Sequence, residues 1–225
     1  MRTFLIIVFG FQFYTAAAQQ KNYDTLPYIL DHHRARLAQF EKEPIVKGKI
    51  IFLGNSITEG GNWKKLLNDS TIINRGIGGD ITFGILKRMD DIIQREPSKI
   101  FLLIGINDIS KNIPDEVILE NIFTIVSRFR ASLPKTKIFV QSIFPTNDSF
   151  KTNLPQHFNK DEHVVIINSQ LAKYADKLKF TYVDLFAAFQ DKEGKLDSRY
   201  TYDGLHLNSA GYQHWAAQLK NLKLL

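Results

Sequence analysis

Residues 51–58, Ile-Phe-Leu-Gly-Asn-Ser-Ile-Thr, form a short apolar run that breaks at a glycine and continues into a serine. The apolar run is typical of a buried strand, and Gly54 permits a sharp turn after it. Ser56 is then placed where a helix begins, and the free N–H groups of a helix N-terminus can stabilise a developing oxyanion. These residues indicate either a nucleophilic serine or a side chain, Ser56 or Thr58, that only caps the helix.

Beyond this stretch, apolar runs of strand length alternate with longer amphipathic segments. The runs are short and apolar on both faces, as strands buried in a parallel sheet are. The alternation predicts one three-layer α/β/α fold with a five-stranded parallel sheet. The predicted strands are Lys49–Leu53, Thr71–Asn74, Lys99–Ile104, Lys137–Ser142 and Phe180–Val183. The predicted helices are Tyr28–Glu41, Thr58–Asn68, Ile81–Arg95, Pro114–Leu133, Lys160–Leu178 and Ser209–Leu222.

The N-terminal segment is typical of a secretory signal peptide. Arg2 supplies the positive charge, Phe4–Phe13 the apolar core, and Ala16–Ala18 a small-residue cleavage site. The alternative, a membrane anchor, would need a longer apolar run. We therefore predict a leader over residues 1–18 and a single domain over residues 19–225, in a secreted or periplasmic protein without a membrane span.

Composition excludes some classes of function. The formal net charge is +6, but the lysine and arginine residues are scattered over several predicted elements. A nucleic-acid-binding protein would gather these charges on one face, so we predict no nucleic-acid partner. The chain contains no cysteine, which excludes a disulfide within it.

Polar residues follow several predicted strands at their carboxyl ends. Ser56 follows the first strand, a glycine-rich turn at 74–80 follows the second, and Gly105-Ile106-Asn107-Asp108 follows the third. A loop with Asp203-Gly204-Leu205-His206 precedes the last helix. Because ligands of open parallel sheets bind outside the carboxyl ends of the strands, we expect these features to meet at one rim.

Each feature has a simpler interpretation on its own. The glycine-rich turn resembles a phosphate cradle but matches neither a dinucleotide-binding fingerprint nor a P-loop. Asn107 and Asp108 are residue types that commonly form turns or helix caps. Asp203 and His206 could ligate a metal, yet the sequence supplies no third ligand at suitable spacing.

Acyl transfer accounts for the features together. This chemistry needs an activated hydroxyl, a base, a carboxylate that orients the base, and donors for a tetrahedral oxyanion. Ser56, His206 and Asp203 would supply the first three, and Gly79 with Asn107 the donors. The glycine spacing of the α/β-hydrolase elbow is absent, because Thr58 stands where that motif has glycine.

These residues resemble the signature blocks of the SGNH (GDSL-type) esterase superfamily, especially its platelet-activating-factor acetylhydrolase-like and bacterial carbohydrate acetylesterase branch. The four blocks occur in order at 54–58, 78–80, 105–108 and 203–206. The resemblance implies a flavodoxin-like sheet and no metal or organic cofactor. It also implies site roles: nucleophile and oxyanion N–H donor for Ser56, further oxyanion donors for Gly79 and Asn107, base for His206, and orienting carboxylate for Asp203.

One position departs from the family pattern. Asn55 stands where the family name implies aspartate, which puts local hydrogen bonding in question and not the nucleophile. The loop Phe144–Asn159 and the residues Arg75, Trp63 and Tyr202 are candidates for shaping the acceptor pocket, although Trp63 also suits a helix core. His157 lies in this loop without an assigned role.

The expected function is removal of a short acyl group from a carbohydrate, and acetyl is the leading candidate for that group. A lysophospholipase or thioesterase is a second hypothesis, and it would require a groove for a long acyl chain. A non-catalytic glycan-binding module and an O-acetyltransferase are two further hypotheses. The expected partner is therefore a small-molecule or glycan ester.

Overall fold

The computed structural model describes residues 30–150 and 153–225. The predicted leader over residues 1–18 lies outside them and stays a prediction, as does the single domain over 19–225. The described helices include none that is long and apolar enough to cross a bilayer. The strands are β1 Ile50–Gly54, β2 Ile73–Gly76, β3 Lys99–Leu103, β4 Lys137–Gln141 and β5 Thr181–Val183. The helices are α1 Leu30–Lys42, α2 Ser56–Glu59, α3 Trp63–Leu67, α4 Thr82–Lys87, α5 Met89–Ile93, α6 Ile106–Ser110, α7 Asp115–Ser132, α8 Asp161–Leu178 and α9 Ser209–Asn221.

The five strands form one parallel sheet in the order β2-β1-β3-β4-β5. Helix α7 packs against α8, α4 and α5, while α3 packs with α9. The predicted fold class is therefore confirmed, and strand order changes direction beside β1. In such sheets this is the point where a crevice opens at the carboxyl ends.

Stacked aromatic rings hold one face of the sheet to its helices. Phe52, Phe101 and Phe139 occupy registered positions on three neighbouring strands, and their ring centroids are 4.8 and 4.6 Å apart. Trp63 stacks on Phe52 at 4.0 Å and meets Trp215 of α9 edge-on at 4.6 Å. Trp63 is only 1% exposed, so it belongs to the core and not to the acceptor pocket.

Two predicted helices are each divided in two. The prediction of one helix over Thr58–Asn68 is wrong because Gly60-Gly61-Asn62 interrupts it, and Asn62 caps α3 by accepting from Lys65 N. A Cβ on Gly61 would lie 2.5 Å from the Trp63 ring, so the chain turns there to bury the indole.

The second division falls at Arg88, within the predicted helix Ile81–Arg95. Arg88 leaves helical geometry, and its guanidinium donates to the Asp80 carboxylate at 3.0 Å and to the Gly54 carbonyl at 3.1 Å. The division therefore links the helical layer to the end of β1.

Arg75 does not shape a pocket, and this prediction is wrong. Its side chain is fully buried, lies 4.3 Å above the Phe40 ring, and donates to Asp91 at 2.7 Å and to Glu43 at 2.8 Å. An arginine at the end of a strand can point into the protein when acidic partners meet it there, here Asp91 of α5 and Glu43 directly after α1. Arg75 thus fastens α1 and α5 to β2.

This burial predicts that Arg75→Leu lowers the free energy of unfolding by about 2 kcal/mol. Removing one partner of a buried ion pair costs roughly 3–5 kcal/mol, and the cost is smaller here because Asp91 and Glu43 reach solvent. Urea unfolding measures the loss. The matched control is Arg34→Leu, whose side chain is 75% exposed and which should change stability by less than about 0.5 kcal/mol. Equal stabilities of the two variants would contradict this role of Arg75.

Candidate active site

The turn after β1 places Ser56 at the rim of the sheet. A Cβ at Gly54 would lie 2.2 Å from the Leu103 carbonyl and 2.3 Å from Thr58 Oγ1, so only glycine fits. Asn55 is the N-cap of α2, and its side-chain oxygen accepts from Ile57 N at 3.0 Å. The alternative that Ser56 or Thr58 caps this helix is therefore wrong, and the hydroxyl of Ser56 is available for another partner. Asn55 thus makes the N-cap hydrogen bond that an aspartate at this position could also make.

Ser56, His206 and Asp203 form a continuous hydrogen-bonded chain. Ser56 Oγ lies 2.9 Å from His206 Nε2, and His206 Nδ1 lies 2.7 Å from Asp203 Oδ2. Because a carboxylate only accepts, Nδ1 carries the proton, which leaves Nε2 free to accept from the serine hydroxyl. The geometry matches the serine–histidine–aspartate arrangement of acyl-transfer enzymes.

The loop that carries Asp203 and His206 is held by its own hydrogen bonds. The second Asp203 oxygen accepts from His206 N at 2.7 Å and from Leu205 N at 3.0 Å. Thr201 Oγ1 accepts from Gly204 N and donates to the His206 carbonyl. Burial raises the pKa of the Asp203 carboxyl, but the hydrogen bonds from His206 outweigh burial, and the pKa ends below its ordinary value. Asp203 therefore stays ionised beside the imidazole.

Gly79 and Asn107 line the same cavity as Ser56 and His206, with a volume of about 200 Å³. Gly79 has a φ of 73°, a left-handed conformation that favours glycine. Asn107 lies in the first turn of α6, and its Nδ2 donates to the Asp80 carbonyl at 2.9 Å. The structure thus brings all five predicted site residues to one place.

Buried carboxylates support the cavity from below. Asp80 pairs with Arg88, and Asp108 accepts from the backbone N–H and the hydroxyl of Thr82 at 3.0 and 2.6 Å. Burial raises the pKa of Asp108 to about 7, and the nearby charge of Asp80 adds to that shift. These bonds tie the turns after β2 and β3 to each other, which fixes the relative positions of Gly79 and Asn107.

Helix α1 also reaches the site, which the sequence did not indicate. Glu59 accepts from Gly78 N at 2.5 Å, next to the predicted oxyanion donor Gly79. Glu59 is held in turn by His32 and Arg36 of α1 at 2.9 and 3.1 Å. The signal in the sequence is weak, because a glutamate after a site serine and two basic residues on a distant helix have many other uses.

The sequence predicts that the loop Phe144–Asn159 helps to shape the pocket, and two of its residues, Leu154 and His157, line the cavity. His157 is 5% exposed, and its Nε2 lies 3.0 Å from Asn107 Oδ1. Burial lowers the pKa of His157 to about 4, so the ring is neutral near pH 7. Tyr202 is 64% exposed, and its ring lies parallel to the His206 ring at 5.9 Å. It therefore borders the entrance of the site, which fits the predicted place.

The buried His157 predicts a loss of stability in acid. Its pKa rises from about 4 in the folded protein to its ordinary 6.5 on unfolding. Between these values the unfolded chain binds a proton that the folded protein excludes. The contribution of neutral His157 to the free energy of unfolding is fully present above pH 6.5. It falls by roughly 3 kcal/mol as the pH is lowered towards 4.

Urea unfolding at about pH 7.5 and pH 4.5 measures this loss. The native protein should lose roughly 2–3 kcal/mol more than His157→Gln, which cannot titrate. The control Ser169→Ala, on the exposed side of α8, removes no titrating group and should keep the native pH dependence. The assignment fails if His157→Gln and the native protein lose the same amount.

Comparisons with known proteins identify relatives of the chain. Residues 52–214 match the GDSL-like Lipase/Acylhydrolase family. The chain is 24% identical to platelet-activating factor acetylhydrolase IB subunit alpha1 of Rattus norvegicus, over 86% of this chain and 81% of that protein. A Streptococcus pneumonia protein named for platelet activating factor is 30% identical and superposes with a TM-score of 0.78, covering 87% of this chain and 94% of that one. An acetyl xylan esterase has the same fold, with 22% identity, a TM-score of 0.62, and coverage of 77% and 98%. The resemblance found in the sequence is confirmed, and the chain belongs to the GDSL-like lipase/acylhydrolase family.

Proposed function

We propose that this protein is a serine esterase that hydrolyses acetyl esters of a carbohydrate through an acyl-enzyme on Ser56. The observation that carries the proposal is the chain from Ser56 through His206 to Asp203, with distances of 2.9 and 2.7 Å, beside Gly79 and Asn107. Membership of an acylhydrolase family supports ester hydrolysis as the reaction. The predicted leader would place the reaction outside the cytoplasm.

In the first half-reaction, Ser56 Oγ attacks the ester carbonyl while His206 Nε2 takes its proton. Asp203 holds Nδ1–H and stabilises the imidazolium. The tetrahedral oxyanion receives hydrogen bonds from the backbone N–H groups of Ser56 and Gly79 and from the Asn107 amide. The intermediate collapses, and His206 returns the proton to the leaving alcohol.

In the second half-reaction, water attacks the acyl-enzyme. His206 removes a proton from the water, the same three donors hold the second oxyanion, and Ser56 leaves with the proton from His206. The products are a carboxylic acid and the free hydroxyl of the acceptor. The first nucleophile, the base, its orienting carboxylate and the oxyanion donors of these steps are all residues of the chain, and water is the second nucleophile.

The size of the cavity favours a short acyl group. Pockets that enclose drug-sized ligands measure about 300–1,000 Å³, whereas this cavity measures about 200 Å³. The name of the rat relative also specifies an acetyl group. A long acyl chain would need space beyond Leu154 and His157, which line the cavity.

The exposed Tyr202 favours a carbohydrate acceptor. Its ring stands beside His206, where the leaving alcohol departs, and an exposed aromatic face can stack on the apolar face of a sugar ring. The acetyl xylan esterase with the same fold acts on an acetylated polysaccharide by its name. A lipid acceptor is the competing outcome.

Ser56→Ala tests the nucleophile. The variant should lose at least about 10⁴-fold in kcat, because no other group can form the acyl-enzyme. Its melting temperature should stay near the native value, because Asn55 and not Ser56 caps α2. The matched control Ser169→Ala, on the exposed side of α8, should be fully active. An active Ser56→Ala enzyme would overturn the mechanism.

The acyl preference follows from the cavity. Rates on p-nitrophenyl acetate, butyrate, octanoate and laurate should fall sharply beyond butyrate, because longer chains exceed the space beside Leu154 and His157. A preference for octanoate or laurate would favour the lipid hypothesis. No turnover of any ester would favour the glycan-binding module.

The acceptor is tested with acetylated xylo-oligosaccharides. Tyr202→Ala should lower kcat/KM on them by about threefold to tenfold, which corresponds to the loss of one ring contact. The matched variant Tyr202→Phe keeps the ring and should keep the rate. Equal losses in both variants would contradict stacking by Tyr202.

A further inference from the structure

A second histidine of the cavity contacts the side chain of Asn107. His157 ends a 3₁₀ turn, Pro155–His157, which packs against α6. The ring is 5% exposed, and its Nε2 lies 3.0 Å from Asn107 Oδ1. Because neither half-reaction uses His157, this buried contact between two polar side chains requires an explanation.

The direction of this hydrogen bond follows from the other partner of Asn107. The Asp80 carbonyl can only accept, and it lies 2.9 Å from the Asn107 amide nitrogen. The amide oxygen therefore faces His157, so the proton must be on Nε2 of the ring. The low pKa of His157, which results from burial, keeps the ring neutral with a single proton.

We propose that His157 is a positioning residue that locks the Asn107 amide in the orientation needed for oxyanion stabilisation. The inference rests on the proposed function, because it assigns His157 a task in that reaction. His157 itself does not touch the reacting atoms. It acts only through Asn107.

Two bonds are needed because the terminal torsion of an asparagine side chain is broad. With the Asp80 hydrogen bond alone, the amide can rotate about that bond, and its N–H then no longer points at the oxyanion. The bond from His157 fixes the opposite end, so one Nδ2–H serves the Asp80 carbonyl and the second remains for the cavity. A donor fixed before the reaction gives more stabilisation, since no reorganisation is needed in the transition state.

A double-mutant cycle on p-nitrophenyl acetate tests the proposal. His157→Leu removes the donor and should lower kcat by about tenfold to 100-fold, with little change in KM. Asn107→Ala should lower kcat by about 10²–10³-fold, as loss of one oxyanion donor does. In the Asn107→Ala background, His157→Leu should cause no further loss beyond about twofold, because its only route of action has gone.

A conservative replacement of His157 provides a second test. His157→Gln places an amide donor near the position of Nε2 and should recover most of the native kcat. The matched control His163→Gln should leave kcat and KM at native values. If leucine prevents folding, His157→Asn replaces it, because its shorter amide does not reach Asn107. Melting temperatures of all variants identify losses that come from unfolding.

Additive losses in the cycle would overturn the proposal, as would native kcat in His157→Leu. Failure of the proposed function is distinguishable, because then Ser56→Ala or Asn107→Ala would retain native turnover. A crystal structure of His157→Leu gives a readout independent of turnover. The Asn107 amide should rotate away from its native orientation, and an unchanged amide would refute the positioning role.

Discussion

The close approach of Gly54 to the Leu103 carbonyl is the constraint on which the site depends. No side chain fits between these neighbouring strand ends, so the chain can turn there and start α2 at once. The turn places Ser56 at the rim of the sheet, while the Gly54 carbonyl accepts a hydrogen bond from Arg88. A single glycine thus joins the backbone of β1 to both the candidate nucleophile and the charged network beneath it.

The network of buried charged and polar groups costs desolvation free energy, and it makes two turns of the site rigid. Asp80, Arg88 and Asp108 are almost completely buried, and such ionisable groups are tolerated only when they are paired or hydrogen-bonded. Asp80 pairs with Arg88, and Asp108 is bonded to Thr82, which in turn accepts from Asn121. In exchange, the turns after β2 and β3 become one rigid unit. This rigidity suits the proposed oxyanion donors, because donors fixed before the reaction need no reorganisation in the transition state.

Much of this organisation could be predicted from the sequence. The alternation of apolar runs and amphipathic segments indicates the fold class, because buried parallel strands and their covering helices have different periods. The four polar blocks indicate Ser56, Gly79, Asn107, Asp203 and His206, because parallel strands bring their carboxyl ends together. The places of three side chains could not be predicted in this way. Residue type and spacing say little about Arg75, Trp63 and Arg88, whose places depend on Phe40, Phe52 and Asp80 through tertiary contacts.

The sequence by itself determined the family and the fold class and indicated the candidate site residues, since these depend on local pattern and on blocks in a set order. Only the tertiary structure decided that α1 supports the glycine turn through Glu59, that Arg75 faces inward, and that His157 meets Asn107. The physical reason is that a hydrogen bond between residues 50 positions apart is set by the packing of whole elements. No local pattern of residue types encodes that distance.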